Sequence, residues 1–143
     1  MLQAMNTGHD GSLTTLHANT PRDALSRLET MISMASLQLP EKAMRQQTAS
    51  AIQVVIQTAR LSDGTRKITQ INEITGMEGD VVTMQDIFTF DRQGTAEGGK
   101  VLGRYAASGI RPRFSDKFKA WGISLPAGIF ETSADALPLR ARR

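Results

Sequence analysis

The sequence predicts an α/β fold in which two helices precede an antiparallel β-meander. Apolar residues three and four positions apart follow a helix-start signal near residue 20, which is typical of an amphipathic helix. Four runs rich in Val, Ile, Thr and Phe follow after residue 52, and the Gly-containing turns between them are typical of hairpins. The chain has 143 residues, 40% of them hydrophobic and 22% charged, which is enough to bury a core.

The composition excludes several classes of protein. Of the 17 Lys and Arg residues, three lie at the end of the chain as Arg140, Arg142 and Arg143, and without them the basic residues equal the 14 acidic ones in number. A nucleic-acid surface needs basic residues concentrated on a folded face, so we expect no nucleic-acid partner. The absence of cysteine excludes a disulfide scaffold, a zinc ribbon and a thiol nucleophile.

The sequence also argues against a membrane span. It has no run of about 18 apolar residues, the length that a spanning helix needs. Its first residues, MLQAMN, lack the basic and apolar regions of a signal peptide. We therefore expect a cytoplasmic protein without a transmembrane segment.

The residues before the first complete helix predict two short elements. Met1–Met5 is typical of a helix end, with Gly8 as its left-handed cap. Leu13–His17 is rich in threonine and predicts a short strand. His17 would then end a strand just before a helix, a position at which α/β sheets commonly contact ligands.

The two helices have distinct start signals. Thr20 is a predicted N-cap, followed by Pro21 at the first helical position and by Asp23 three residues after the cap. The apolar stripe of this helix consists of Leu25, Leu28, Ile32 and Ala35. The second helix should start near Glu41, after Leu39-Pro40. Its polar side consists of Gln46, Gln47 and Ser50.

The β-meander follows the second helix. The strands are predicted at 53–61, 67–74, 81–90 and 101–106, with turns at 62–65 and 76–80 and a polar loop at 91–100. The first should be buried, since Val54, Val55 and Ile56 are consecutive. A short helix is predicted around Phe114–Trp121, and the chain after Phe130 has little to bury.

One apparent nucleotide motif fails on its context. Residues 94–101, GTAEGGKV, nearly match the phosphate loop G-x-x-x-x-G-K-[ST]. Val101 stands where a hydroxyl for magnesium is needed, and Glu97 would place a carboxylate against the phosphates. A strand rather than a helix is predicted to follow, so we interpret the segment as a hairpin loop.

The histidine segment is the most informative part of the sequence. His17 could donate a hydrogen bond to a phosphate oxygen, and the hydroxyls of Thr14 and Thr15 could add to it. A local hydrogen bond of His17 within the fold is about as plausible from spacing alone. A metal site built from His9, Asp10 and His17 is a weaker alternative, because further ligands are lacking.

Residues 8–29, GHDGSLTTLHANTPRDALSRLE, closely resemble the histidine box of the type II/type IV secretion traffic ATPases. Within that superfamily the chain most resembles the CpaF branch, which drives assembly of Flp (tight-adherence) pili. The resemblance covers about residues 1–130. The later matching segments are Leu39-Pro40, RQQTASAI at 45–52, DGTR at 63–66, GMEGD at 76–80, QDIF at 85–88, GIRPRF at 109–114 and Leu125-Pro126.

This resemblance implies the C-terminal part of a RecA-like P-loop ATPase domain. Residues 1–60 would be the distal part of that domain with the histidine box, 61–130 its β-meander and helical end, and 131–143 a disordered tail. The phosphate loop and the Walker B acid would lie upstream, so the chain resembles a C-terminal fragment that is inactive alone. The family implies ATP and Mg²⁺, a hexameric ring at the cytoplasmic face of the inner membrane, and a membrane platform protein as partner.

The resemblance also assigns roles to single residues. His17 matches the family histidine that approaches the terminal phosphate and senses hydrolysis. Gly8 and His9 match the opening of the same box, with Thr14 and Thr15 as supports. Arg27 matches an arginine in the Arg-Leu pair after the box, where an internal ion pair is as plausible as a phosphate contact. Arg45 and Gln46 could reach a neighbouring subunit's nucleotide, although their polar helix face is more typical of a solvated surface. Arg111 and Arg113 could help form a subunit contact.

Three functional interpretations follow from the sequence. The first is the distal part of a pilus-assembly ATPase that acts only within the complete protein. The second is an interaction module that joins rings of complete subunits. The third is an unrelated α/β protein that binds a ligand or a metal.

Overall fold

The chain folds as an α/β protein with one four-stranded sheet among its described residues. The computed structural model describes residues 11–35, 39–126 and 128–132. The elements are α1 (Pro21–Met34), α2 (Glu41–Ala51), β1 (Val54–Arg60), β2 (Arg66–Glu78), β3 (Val81–Thr95), β4 (Val101–Ala107) and α3 (Ser115–Ala120). The predicted helix end at 1–5, its cap at Gly8 and the tail from residue 133 onward lie outside the described residues.

Helix α1 starts as the sequence predicts. The Thr20 Oγ1 atom accepts a hydrogen bond of 3.1 Å from the backbone N–H of Asp23. Thr20 itself is extended, with φ −135° and ψ 161°, and Pro21 occupies the start of the helix. The cap satisfies a backbone donor that the helix leaves unpaired, so it fixes both where α1 begins and where the preceding segment leaves it.

The predicted strand at Leu13–His17 is wrong. Residues 11–18 form no helix and no strand, and Leu13 is 98% exposed. A strand needs a neighbouring strand to take its backbone hydrogen bonds, and no described strand pairs with this segment. A high threonine content is therefore not sufficient to predict a strand here.

The four strands form a meander in the order β1-β2-β3-β4. Each is joined to the next by five residues or fewer, so neighbours run antiparallel. The burial predicted for β1 is wrong, because Val54 and Val55 are half-buried and Ile56 is 56% exposed. Among the described strands β1 lies at the edge of the sheet, where its side chains have fewer neighbours than those of a central strand.

Strands β2 and β3 are longer than predicted. Strand β2 continues through Gly76, which adopts a φ of 131° that other residues rarely take, so the turn shrinks to Gly79-Asp80. Strand β3 continues to Thr95, since its last residues pair with β4 and a bulge leaves Gln93 without a partner in the ladder. The loop is then only 96–100, which confirms that the false phosphate loop belongs to a hairpin.

The described residues form two compact units. The first comprises residues 11–35, 39–55 and 72–85. Its core is a cluster of buried apolar side chains, Leu25, Ile74 and Val82, with Ala49, Ile52, Val55, Met77 and Met84 packed against it. The stripe predicted for α1 therefore points into this core through Leu25, while Leu28 and Ile32 are half-buried and Ala35 is exposed.

The second unit comprises residues 56–71, 86–126 and 128–132. Ile87 is fully buried in it and Val101 is 4% exposed. Aromatic pairs add to this core: Phe88 lies 5.8 Å from Phe130, Phe90 5.2 Å from Tyr105, and Phe114 5.8 Å from Phe118, between ring centroids. The second unit therefore depends on aromatic contacts, which contribute beyond their buried area.

A single carboxylate holds two turns of the second unit together. Asp63 accepts hydrogen bonds from the Thr65 hydroxyl at 2.6 Å, from the Thr65 N–H at 2.9 Å and from the Val101 N–H at 2.8 Å. These bonds favour the ionised form, and the Thr65 hydroxyl contributes most to lowering the pKa of Asp63 from 3.8 to about 2. The sequence predicted a turn here but not this link to β4.

Candidate functional site

An open groove of about 530 Å³ runs along the outer side of α1. The residues that line it are His17, Ala18, Asn19, Asp23, Ser26, Arg27, Thr30, Met31 and Met34. Those on the helix recur at intervals of three and four, so they form one continuous stripe, different from the stripe that contains Leu25. The whole groove belongs to the first unit.

The cap of α1 brings the histidine to this groove. Because Thr20 is extended, the chain turns at the helix start, and His17 and Asn19 border the same surface as the first turns of α1. His17 and Arg27, which are ten positions apart in the sequence, thus line one site. The sequence singled out these two residues, and the structure brings them together.

One end of the groove is polar, where the donors of His17 and Arg27 lie with the carboxylate of Asp23. His17 and Arg27 are both exposed, and within the described part of the chain neither has a hydrogen bond or an ion pair. An arginine guanidinium matches the geometry of a phosphate with two parallel N–H donors, and an imidazole adds one more donor. The Thr30 hydroxyl is already engaged, since it donates to the Ser26 carbonyl oxygen at 3.1 Å.

The remaining groove residues were not predicted. Asn19 and Asp23 add an amide and a carboxylate, and Met31 and Met34 give the other end an apolar surface. The helical spacing from Arg27 could have identified Asp23 and Thr30, because residues three and four apart share a helix face.

Other residues assigned to the box lie elsewhere. Thr14 and Thr15 are exposed and do not line the groove, so their supporting role stays a prediction. Gly8 and His9 lie outside the described residues. The weaker metal alternative also needs His9 and Asp10, and the part of the chain that the structure describes contains no cluster of three potential metal ligands.

The groove lies within a segment that is shared with known proteins. The family model described as type II/IV secretion system protein matches residues 1–107. That range is three quarters of the chain and includes α1, α2 and all four strands. The chain belongs to the type II/IV secretion system protein family.

Relatives of this secretion-family chain are described as conjugal transfer proteins. It is 36% identical over 81 residues to a putative conjugal transfer protein of Mycobacterium tuberculosis, an alignment that covers 57% of this chain and 22% of that protein. It is 37% identical over 79 residues to the conjugal transfer protein TrbB of Rhizobium radiobacter, covering 55% of this chain and 22% of TrbB. The alignments thus span about a fifth of each relative's length. Family membership contradicts the third interpretation, an unrelated protein.

Arg45 of the secretion-family chain is held inside its own fold. Its Nε atom lies 3.3 Å from both carboxylate oxygens of Glu29, and its other nitrogens lie 3.6 Å from Glu41 and 3.2 Å from the Asp80 carbonyl oxygen. It therefore links α1, α2 and the β2–β3 turn. Gln46 is exposed, and the predicted contacts of both residues with a neighbouring subunit stay predictions.

The two arginines assigned to a subunit contact lie in the second unit. The Arg111 Nε atom donates to the hydroxyl of buried Ser115 at 3.1 Å, and Arg113 is exposed. Their role at a subunit contact stays a prediction. Among the residues that the structure describes, no helix is both long and apolar enough to cross a membrane.

Proposed function

We propose that this chain is the distal part of a secretion or transfer ATPase and that its α1 groove contacts the terminal phosphates of ATP. The observation that carries the proposal is the convergence of His17 and Arg27 on one open groove within the family-matched segment. These two side chains have no partner among the described residues, one on α1 and one in the segment before its cap, and both can donate to the oxygens of a polyphosphate.

In this proposal the two residues stabilise charge rather than form covalent bonds. ATP hydrolysis places negative charge on the oxygens of the transferred phosphoryl group, and catalysis rests on positioning and on neutralising that charge. Arg27 supplies a fixed cationic fork, and His17 supplies a donor whose contact is lost when the terminal phosphate leaves. His17 would thereby report whether the nucleotide has been hydrolysed.

The rest of the ATPase machinery lies outside the printed sequence in this proposal. The 143 residues contain no G-x-x-x-x-G-K-[ST] phosphate loop, so the lysine that grips the phosphates must come from elsewhere. The groove offers a single carboxylate, Asp23, so Mg²⁺ would have to be held mainly by phosphate oxygens and by residues outside this chain. The isolated chain should accordingly hydrolyse no ATP.

The assembled machine is a further part of the proposal. We infer a hexameric ring at the cytoplasmic face of the inner membrane that acts on a platform protein, as the resemblance to the CpaF branch implies. Pilin is the cargo that this branch suggests. The conjugal transfer proteins among the relatives favour a second candidate, transfer between cells. Loss of pili or loss of conjugation in a strain that lacks the gene would distinguish the two.

The groove can be tested by nuclear magnetic resonance, because the chain has only two histidines. In a His9→Gln variant, the remaining imidazole signal reports on His17 alone. Millimolar ATP and inorganic triphosphate should both shift that signal, and adenosine should not. Arg27→Ala should weaken the affinity for both phosphates several-fold, since a contact of an exposed charge contributes up to about 1 kcal/mol.

The control is Arg22→Ala, which removes an exposed arginine of the same helix that does not line the groove. It should leave the response of His17 unchanged. A His17 signal that ignores both phosphates, or that weakens equally in the two arginine variants, would contradict the proposal. An ATPase rate in the purified chain that depends on Mg²⁺ and falls in His17→Ala would contradict the expected inactivity.

A further inference from the structure

The second unit contains a separate concavity of about 500 Å³, here called the C-terminal hollow. The lining side chains that matter here are Arg111, Ser115, Lys119, Ile123, Leu125 and Phe130. It shares no residue with the α1 groove. All of it lies beyond residue 107, where the match to the family model ends.

The hollow is built by a specific helix ending. At the end of α3, the Gly122 N–H donates to the Lys119 carbonyl oxygen at 3.0 Å and the Ile123 N–H donates to the Phe118 carbonyl oxygen at 2.8 Å. This is a Schellman motif, and Gly122 takes the left-handed conformation that it requires, with φ 72°. The motif ends the helix and turns the chain back, which places Ile123 beside Lys119 in the lining.

Several apolar side chains around the hollow are exposed to solvent. Ile110 is 41% exposed, Trp121 63% and Ile123 49%. Leu125 and Phe130 are half-buried in the lining and give the concavity an apolar floor. Exposed apolar side chains grouped around a concavity are typical of a binding site for another molecule.

The charges of the lining select the kind of ligand. Arg111 and Lys119 border the hollow, and Glu131 is the one carboxylate among the described residues of its lining. Arg111 is oriented by Ser115, because its Nε atom donates to the hydroxyl of this buried residue at 3.1 Å. An apolar floor with two cations at its border complements a ligand that carries apolar groups and a carboxylate.

We infer that the C-terminal hollow is a docking site for a peptide segment of a partner protein in which apolar residues flank a glutamate or an aspartate. A peptide is favoured over a lipid surface because the half-buried Leu125 and Phe130 line a concavity, which can take an inserted side chain. Docking of such a segment would cover the exposed isoleucines and pair its carboxylate with Lys119.

Selection from a random peptide library on the full 143-residue chain tests this inference. The enriched peptides should contain an acidic residue between apolar ones. A synthetic peptide with that pattern should change the fluorescence of Trp121, which is the single tryptophan of the chain and adjoins Gly122 of the lining. A matched peptide with glutamine in place of the acidic residue should bind several-fold more weakly.

Lys119→Glu should weaken binding of the acidic peptide about tenfold, since one exposed attraction becomes a repulsion of similar size. Lys100→Glu makes the same change in net charge on the β3–β4 hairpin, away from the lining, and should leave binding unchanged. Circular dichroism shows whether either variant remains folded.

Three results would overturn the inference. One is a selection that enriches no peptides or enriches peptides without acidic residues. Another is equal binding by the Lys119→Glu and Lys100→Glu variants. The third is a Trp121 signal that responds to phosphatidylglycerol vesicles and to no peptide, which would assign the surface to a membrane instead.

Discussion

Replacement of Gly103 by alanine should destabilise the second unit through a steric clash. Gly103 pairs with Arg92 across the β3–β4 ladder. A Cβ atom at this position would lie 2.5 Å from the Phe90 Cζ atom and 2.6 Å from the Asp91 carbonyl oxygen. The ring of Phe90 could rotate away, but the backbone oxygen can move only with the strand.

The size of the effect follows from two opposing terms. Overpacking of this kind costs about 1–3 kcal/mol, and a displaced Phe90 would also lose its contact with Tyr105. Replacing glycine also lowers the conformational entropy of the unfolded chain, which stabilises the folded state by about 0.4–1 kcal/mol. We therefore expect Gly103→Ala to lower the free energy of unfolding by about 1–2 kcal/mol. Urea denaturation followed by circular dichroism measures this as a lower midpoint with an unchanged slope.

Gly94→Ala is the matched control, because Gly94 lies in the paired strand, has no positive φ and has no atom within 4 Å of the added Cβ. Its stability should change by no more than about 0.5 kcal/mol. Equal unfolding midpoints for the two variants would refute the steric reasoning. A changed slope would instead indicate that the unfolded or native state differs in compactness.

Three further predictions concern the contacts that position the elements. Thr20→Ala should lower the free energy of unfolding by about 1 kcal/mol because it removes the cap of α1, whereas Thr20→Ser keeps the accepting oxygen and should cost less; urea denaturation compares them. Arg45→Ala should lower the free energy of unfolding by about 1–2 kcal/mol, because it removes the half-buried bonds to Glu29. The control is Gln46→Ala at the neighbouring exposed position, which should lower it by about 0.5 kcal/mol or less; urea denaturation measures both. Asp63 has a folded pKa of about 2, below its ordinary 3.8, so its stabilising effect should be complete above pH 4 and be lost as the pH falls toward 2. Asp63→Asn should therefore be less stable than the natural chain at pH 7 and approach it at low pH, and a constant difference across this range would contradict the assignment.

The parts of the fold that the sequence predicted correctly depend on local chemistry. The start of α1 is set by Thr20, Pro21 and Asp23, which lie within four positions of one another, so the signal is complete in the sequence. The turn at 62–65 is similar, because Asp63 and Gly64 form it with their own side chain and backbone. Elements that are determined within one turn can be predicted from composition and spacing.

The predictions were wrong where pairing between strands determines the structure. Gly76 and Gly94 resemble turn residues, yet both lie inside strands because the neighbouring strand continues to bond the backbone. Leu13–His17 has strand-forming residues but no described partner strand, so it forms none. A strand's length and existence depend on its neighbours in the sheet, which the local sequence does not specify.

The two candidate sites also differ in whether the sequence could predict them. His17 and Arg27 could be found because the family motif and the helical spacing place them together. The C-terminal hollow could not be found, since its lining comes from a loop, a short helix and the turns after it, with no periodic pattern. Arg111 and Arg113 were predicted at a subunit contact, but no spacing in the sequence places Arg111 beside Lys119.

The variants designed for one proposed site can also be measured with the ligand of the other site. Because the α1 groove and the C-terminal hollow share no residue, Arg27→Ala should leave binding of the acidic peptide unchanged. Lys119→Glu should likewise leave the response of the His17 signal to triphosphate unchanged. If each variant affects only its own ligand, one proposal can fail while the other stands. If Lys119→Glu abolishes the His17 response while the chain stays folded, the two ligands are coupled, and peptide binding should then change triphosphate affinity by the same factor.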